Sequence, residues 1–196
     1  MSIYVHDPLD ITPQMTSYTA PSPYWCDASA EAYPGFYPAW YAFKHEGLGE
    51  VCWIGSGYTN QWLRFYLGGS SYTVNKYRVC GYIRDGGGDS MGPWYVSDWT
   101  FQGSNNGSTW TTLDTRSGQI PTEAGIYYNI TNTVGYKYYR ICPTAGTYGT
   151  GPLIGQLELF GSIVPTGWTK KIMGISNPKT IMGIPNDGRI KTIIGR

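Results

Sequence analysis

The chain has 196 residues, a formal net charge of +1, 14% charged and 41% hydrophobic residues, and an aromatic share of 16% from 18 Tyr, 8 Trp and 5 Phe. Its 27 Gly and 13 Pro are poor material for long helices, which excludes an α-helical bundle. No run approaches the roughly 18 apolar residues of a membrane helix, and residues 1–10 lack the basic start and apolar middle of an export signal, so the expectation is a protein made in the cytoplasm without membrane insertion.

Taken in chain order, residues 1–15 read as an N-terminal arm and residues 16–162 as one β-rich domain. In residues 62–67 (WLRFYL), Leu63, Phe65 and Leu67 share one face of a period-two strand while Trp62, Arg64 and Tyr66 share the other. Residues 74–83 (VNKYRVCGYI) alternate likewise, with Tyr77, Val79 and Ile83 inward and Lys76, Arg78, Cys80 and Tyr82 opposite, which predicts a half-buried strand. Residues 99–110 (WTFQGSNNGSTW) set Asn106-Gly107 between two aromatic arms, the signature of a β-hairpin, because that pair supplies the positive φ of a tight turn. Trp99, Phe101, Trp110 and Tyr139 are expected in the core through cross-strand pairing. Residues 136–142 (YKYYRIC) and 153–160 (LIGQLELF) add two strands on either side of a Gly/Pro-rich turn. Many short strands punctuated by Gly and Pro predict an all-β sandwich or barrel. Cys26, Cys52, Cys80 and Cys142 are widely spaced and only His6 and His45 are histidines, so zinc-site spacing is absent and the expectation is no metal and no cofactor. The thiols read as buried and free, with a Cys80–Cys142 bridge left open.

The run from Trp99 to Gln119, then YKYYRI at 136–141 and LELFG at 157–161, resembles the discoidin domain, also called the coagulation-factor C-type or galactose-binding-like domain; YPAWYAF at 37–43 and WLRFYLG at 62–68 fit that family's opening strands. The resemblance implies a discoidin-like jelly-roll β-sandwich with ligand loops at one end, in a family that mostly binds glycans, lipid head groups or proteins. Where the family carries Ala-Phe-Asp-Gly with a calcium-loop Asp, this chain has Ala42-Phe43-Lys44-His45, and the family's late Glu falls at Gln156, with Glu158 two residues on. An ammonium in place of a carboxylate argues against a calcium site.

Sugar recognition needs an aromatic face and fixed polar groups, both supplied by loops. The candidates are His45, Glu46 and Trp53 in the loop matching the family's calcium region, Arg84, Asp85, Trp94 and Tyr95 around the Gly-rich loop 84–95, and Tyr148 in a third loop. The Gly86–Gly88 run is followed by no helix signal and no Lys-Ser/Thr, which rejects a phosphate loop. No nucleophile or metalloprotease motif is present, so the expectation is a protein that is not an enzyme.

Residues 163–196 are chemically distinct: six Lys/Arg against one Asp give +5, whereas residues 1–162 hold eight against twelve and net −4. This tail repeats the pattern Lys-(Lys/Thr)-Ile-(Met/Ile)-Gly-(Ile/Arg) three times, beginning at Lys170, Lys179 and Lys191. Each copy is expected as one short strand with two apolar faces, which Ile172, Met173, Ile175, Ile181, Met182, Ile184, Ile193 and Ile194 would use for oligomerisation. A hairpin folded on its own sandwich is the alternative, and nucleic acid is disfavoured because aromatic partners are missing. The repeats resemble those at the C-termini of bacteriophage structural proteins, particularly tail and appendage subunits. That resemblance implies a homo-oligomeric virion protein among other virion subunits, with a sandwich facing host cell-surface glycan. A purely architectural subunit and a lectin-like module of a cellular protein are the alternatives.

Overall fold

The computed structural model describes residues 5–46, 51–82, 93–164, 180–181 and 184–185. Contacts divide the chain into two units, Met1–Ser162 and Ile163–Arg196. No helix among the described residues is long and apolar enough to cross a membrane.

The first unit is a sandwich of antiparallel strands. Its larger sheet has the order β1–β3–β8–β5–β6, formed by Trp25–Ala28, Leu63–Tyr66, Tyr138–Gly146, Val96–Ser104 and Thr111–Arg116. The smaller sheet has the order β10–β4–β7, formed by Gln156–Ile163, Tyr72–Cys80 and Ile126–Asn129. A two-stranded pair joins β2 (Trp53–Ile54) to β9 (Leu153–Ile154). The core lies between the sheets: Phe65, Phe101, Tyr139 and Ile141 from one meet Tyr77, Val79, Leu157 and Leu159 from the other. Tyr77 stacks on Phe101 at 4.2 Å between ring centroids, joining the two layers at the centre. Each such side chain, fully buried, contributes roughly 1.5–3 kcal/mol.

Strand β3 has the expected faces, with Leu63 and Phe65 buried and Arg64 and Tyr66 half-buried. Strand β4 departs from expectation. Arg78, Cys80 and, just beyond the strand, Tyr82 are buried along with Tyr77 and Val79. Three neighbours cover the far face: the arm at Arg78, whose Nη2 donates to the Val5 carbonyl at 2.7 Å and to Glu158 Oε1 at 2.6 Å, Gly125 at Cys80, and Cys52, Ile54 and Leu153 at Tyr82. The segment 37–43, likened above to an opening strand, is instead a 3-10 helix over Ala39–Phe43, entered through extended Pro38. It buries Ala39, Ala42 and Phe43.

The β5–β6 hairpin forms with a longer connection than a two-residue turn. Asn106 Oδ1 accepts from the N–H groups of Ser108 (3.0 Å) and Thr109 (2.8 Å), and Gly107 takes φ +72°. Trp110, expected in the core, is half-buried at the surface with the Arg140 guanidinium 4.0 Å over its ring. Cys80 and Cys142 are free thiols, as are Cys26 and Cys52. Gly155 is required by close approach: a Cβ there would lie 2.3 Å from the Gly81 carbonyl oxygen.

In the second unit, β11 (Thr180–Ile181) pairs antiparallel with β12 (Ile184–Pro185), Ile181 opposite Ile184. The second repeat therefore folds back within itself and is not the single strand expected. Ile172, Met173, Ile175, Met182, Ile193 and Ile194 lie outside the described residues.

Candidate functional site

The pairing of β2 with β9 sets Trp53 opposite Ile154 and Ile54 opposite Leu153, and the loops flanking these strands meet around it. The Ala32 N–H donates to the Ile54 carbonyl at 2.9 Å, and the Ile54 N–H reaches the Tyr37 carbonyl at 3.4 Å, which holds loop 32–37 against β2. Cys52, Ile54, Tyr82 and Leu153 make a small buried cluster there, and Ala32, Tyr37, Trp94 and Tyr148 pack on it half-exposed. Tyr82 and Trp94 exchange backbone N–H···O bonds of 2.8 and 2.9 Å and stack their rings 6.3 Å apart. Tyr148 meets Trp94 edge-on at 5.0 Å, and Tyr33 meets Tyr37 edge-on at 6.1 Å. Burial, and then a hydrogen bond with Tyr33, raise the Tyr148 hydroxyl above its ordinary range, so it stays protonated at neutral pH. Phe36, 74% exposed, stands in the same loop beside Gly35 at φ +84°.

The backbone behind these rings is cross-tied by hydrogen bonds. Thr147 N–H donates to the Tyr95 carbonyl at 2.9 Å, Tyr95 N–H donates to Thr147 Oγ1 at 3.1 Å, and that hydroxyl donates to the Pro93 carbonyl at 3.1 Å. The Tyr58 hydroxyl donates to the Tyr148 carbonyl at 2.9 Å. Exposed ring faces with phenolic donors beside them suit a ligand that has both an apolar C–H face and hydroxyls.

Of the residues singled out from sequence, Trp94 and Tyr148 touch, and Tyr95 is tied to the residue before Tyr148. Arg84 and Asp85 lie outside the described residues. Trp53 is fully buried with its Nε1 donating to the Ala30 carbonyl at 3.1 Å, so it belongs to the core and offers no face to a ligand. The His45 side chain is 2% exposed and its Nε2 lies 3.1 Å from Asp10, so it offers no face to a ligand. Glu46 is exposed and paired with Lys44 at 2.6 Å. Tyr33, Phe36, Tyr37 and Tyr82 were missed. The run Tyr33-Pro34-Gly35-Phe36-Tyr37 carried the signal, since Pro-Gly between aromatics is a turn that displays them.

The sequence matches no protein-family model and no curated protein. Among solved structures it is similar to chitosan-binding module 1 from a chitosanase/glucanase of Paenibacillus sp. IK-5, at 23% identity and a TM-score of 0.58 over 78% of this chain and 98% of that one. It is also similar to a family 32 carbohydrate-binding module from Clostridium perfringens NanJ solved with galactose, at 16% identity and a TM-score of 0.53 over 69% of this chain and 92% of that one. A third, the C. perfringens module CpGH89CBM32-5 in complex with GalNAc-β-1,3-galactose, gives 15% identity and a TM-score of 0.56 over 70% and 94%. The fold is a discoidin-like β-sandwich.

The calcium loop of the discoidin family does not fit these residues. Gln156 spans the loop as a neutral amide, its Nε2 donating to the Tyr41 carbonyl at 3.0 Å and its Oε1 accepting from the His45 N–H at 3.0 Å. Lys44 extends over the Trp40 and Tyr41 rings, 5.7 and 5.4 Å from their centroids. A hydrogen-bonded amide and an ammonium stand where a hard cation would need anionic oxygens.

A second surface lies on the outer side of the larger sheet. Arg64, ion-paired to Asp27 at 2.5 Å, lies between the rings of Trp25 (5.0 Å) and Trp62 (4.7 Å). Beside it is a groove of about 420 Å³ whose lining includes Asn60, Trp62, Gln102, Arg140 and Thr144.

Proposed function

We propose that the chain is a non-catalytic glycan-binding β-sandwich whose site is the aromatic loop end around Trp94 and Tyr148. The observation that carries this is the convergence of Tyr33, Tyr37, Trp94 and Tyr148 as partly exposed rings on a hydrogen-bonded frame. Tryptophan and tyrosine faces cover the C–H side of a pyranose, and phenolic hydroxyls orient its polar rim. The carbohydrate modules with the same fold support the reading.

The finer proposal is a bacteriophage tail or capsid appendage made in the host cytoplasm. The Lys-x-Ile-Met-Gly-Ile repeats of residues 170–196 would join it to copies of itself and to other virion subunits, and the sandwich would meet host cell-surface carbohydrate. Weak single-site binding multiplied over many copies gives avidity without any new contact.

The test is a glycan array and whole-cell binding with the full chain beside Trp94→Ala and Tyr148→Ala. The expected result is saturable binding that falls at least about fivefold in each variant while the urea midpoint holds, since a stacked aromatic anchor contributes about 1–3 kcal/mol to binding. Silence from the folded full chain, or binding that survives both substitutions, overturns the assignment and favours an architectural subunit.

A further inference from the structure

His6, Asp10 and His45, none of them among the rings of the aromatic cluster, each present one donor atom, and the three donors lie within 4.8 Å of one another. His45 Nε2 is 3.1 Å from Asp10 Oδ2, and His6 Nδ1 is 3.9 Å from the same oxygen. An ion holding four donors tetrahedrally at about 2.0–2.1 Å spaces them roughly 3.3 Å apart. The three atoms thus already stand near three corners of such a site. Glu158 Oε1 lies 3.4 Å from His6 Nδ1, and water would complete the coordination.

The surroundings are built to hold these donors. The Asp10 and Glu158 side chains are fully buried, and His6, 38% exposed, leaves a way in from solvent. Asp10 Oδ1 accepts from the N–H groups of Thr12 and Leu159, both at 2.9 Å, and Oδ2 accepts from Thr12 Oγ1 at 2.5 Å. Arg78 binds Glu158 Oε1 at 2.6 Å and balances its charge. Hydrogen bonds to a carboxylate that fix its direction are what a metal ligand requires of its neighbours.

Hydrogen bonding within the cluster is incomplete: His6 Nδ1 reaches Glu158 Oε1 and Thr12 Oγ1 reaches His45 Nε2, both only at 3.4 Å. The two imidazoles stack at 4.2 Å and 14° with His6 Nδ1 too far from Asp10 for a hydrogen bond, and His45 Nδ1 is buried without a hydrogen-bond partner. We propose that His6, Asp10 and His45 form a binding site for a divalent transition-metal ion of the zinc class, which clamps residues 5–12 onto the sandwich. Two imidazoles and one carboxylate suit zinc, cobalt, nickel or copper and do not suit calcium or magnesium. The site joins two side chains of the arm to His45, whose own N–H is held by the Gln156 amide at 3.0 Å, so it takes one residue of the calcium-region loop and none of that loop's usual carboxylates. Sequence spacing hid it because its two histidines come from segments far apart in the chain.

The experiment uses the tag-free full chain, stripped with chelator and titrated with ZnCl2 by calorimetry and with CoCl2 by visible absorption. The expected result is one ion per chain, the intense bands of tetrahedral cobalt, and a melting temperature that rises with zinc and returns with EDTA. His6→Ala, at the exposed edge where the fold tolerates change, is expected to weaken zinc about 100-fold and to abolish the cobalt bands; CaCl2 gives neither effect. His45→Gln serves as a second variant if its native circular dichroism is retained. Absence of saturable zinc binding by the folded chain, or equal binding by His6→Ala, overturns the site. Neither result bears on the aromatic end.

Discussion

Tyr77 shows how one polar atom is fitted into a core made of rings. Its hydroxyl accepts from Trp99 Nε1 at 2.9 Å and donates to Asp114 Oδ2 at 2.7 Å, a relay across the sandwich. Burial raises that hydroxyl far above the ordinary phenol range, so it acts only as a neutral hydrogen-bonding group. Tyr77→Phe keeps the stack on Phe101 but leaves the buried indole N–H without its acceptor. A loss of about 1–3 kcal/mol is expected, read as a lower urea midpoint with unchanged slope. An unchanged midpoint would mean that another acceptor replaces the phenol. Single residues were legible where chemistry and neighbours agree: Leu63, Phe65 and Phe101 are inward because alternation leaves them no other face. Trp53 was misjudged because its sequence position near a loop says nothing of the Ala30 carbonyl that receives its N–H.

Among the elements, the β5–β6 hairpin depends on a short polar loop. Asn106→Ala removes the oxygen that receives two backbone N–H groups, and a cost of about 0.5–1.5 kcal/mol is expected, with faster amide exchange at Ser108 and Thr109 as its local signature. No change in exchange there would remove Asn106 from the role. This hairpin was readable because Asn-Gly between aromatic arms is a local signal. Strand β4 was only half readable: its period-two pattern is present, but Arg78 is covered by an arm that folds over from residues 5–12 and Cys80 by Gly125, facts no window around residue 78 contains. The 3-10 helix of residues 39–43 was hidden by the same limit, since aromatic residues favour strands on average and Pro38 alone does not decide.

For the whole molecule, strand order and the meeting of distant loops are tertiary facts. The sequence resemblance conveyed the sandwich, while the gathering of Tyr33, Tyr82, Trp94 and Tyr148 needed the structure. Two bulk measurements address the molecule at this scale. Burial pushes the thiols of Cys26, Cys52 and Cys142 up, and that of Cys80 to about 12, so native protein at pH 8 is expected to react slowly with a thiol reagent and to yield four thiols once denatured without reductant. Two thiols would reveal a bridge. A chain ending at Ile163 is expected to be monomeric by light scattering where the full chain is not; equal masses would remove the repeats from assembly.

The arm has one more consequence. Ile11 N–H donates to the Leu159 carbonyl at 2.8 Å and Leu159 N–H returns to the Asp10 carboxylate, so the first and last backbone segments of the sandwich lie side by side. A domain whose two ends touch can be spliced into a surface loop of another protein without prising that loop apart. The same geometry allows its ends to be joined and the chain reopened elsewhere, for instance within residues 105–110, with the strand order preserved. The sandwich is in this sense portable: it can travel between host proteins as an inserted cassette as readily as at a terminus.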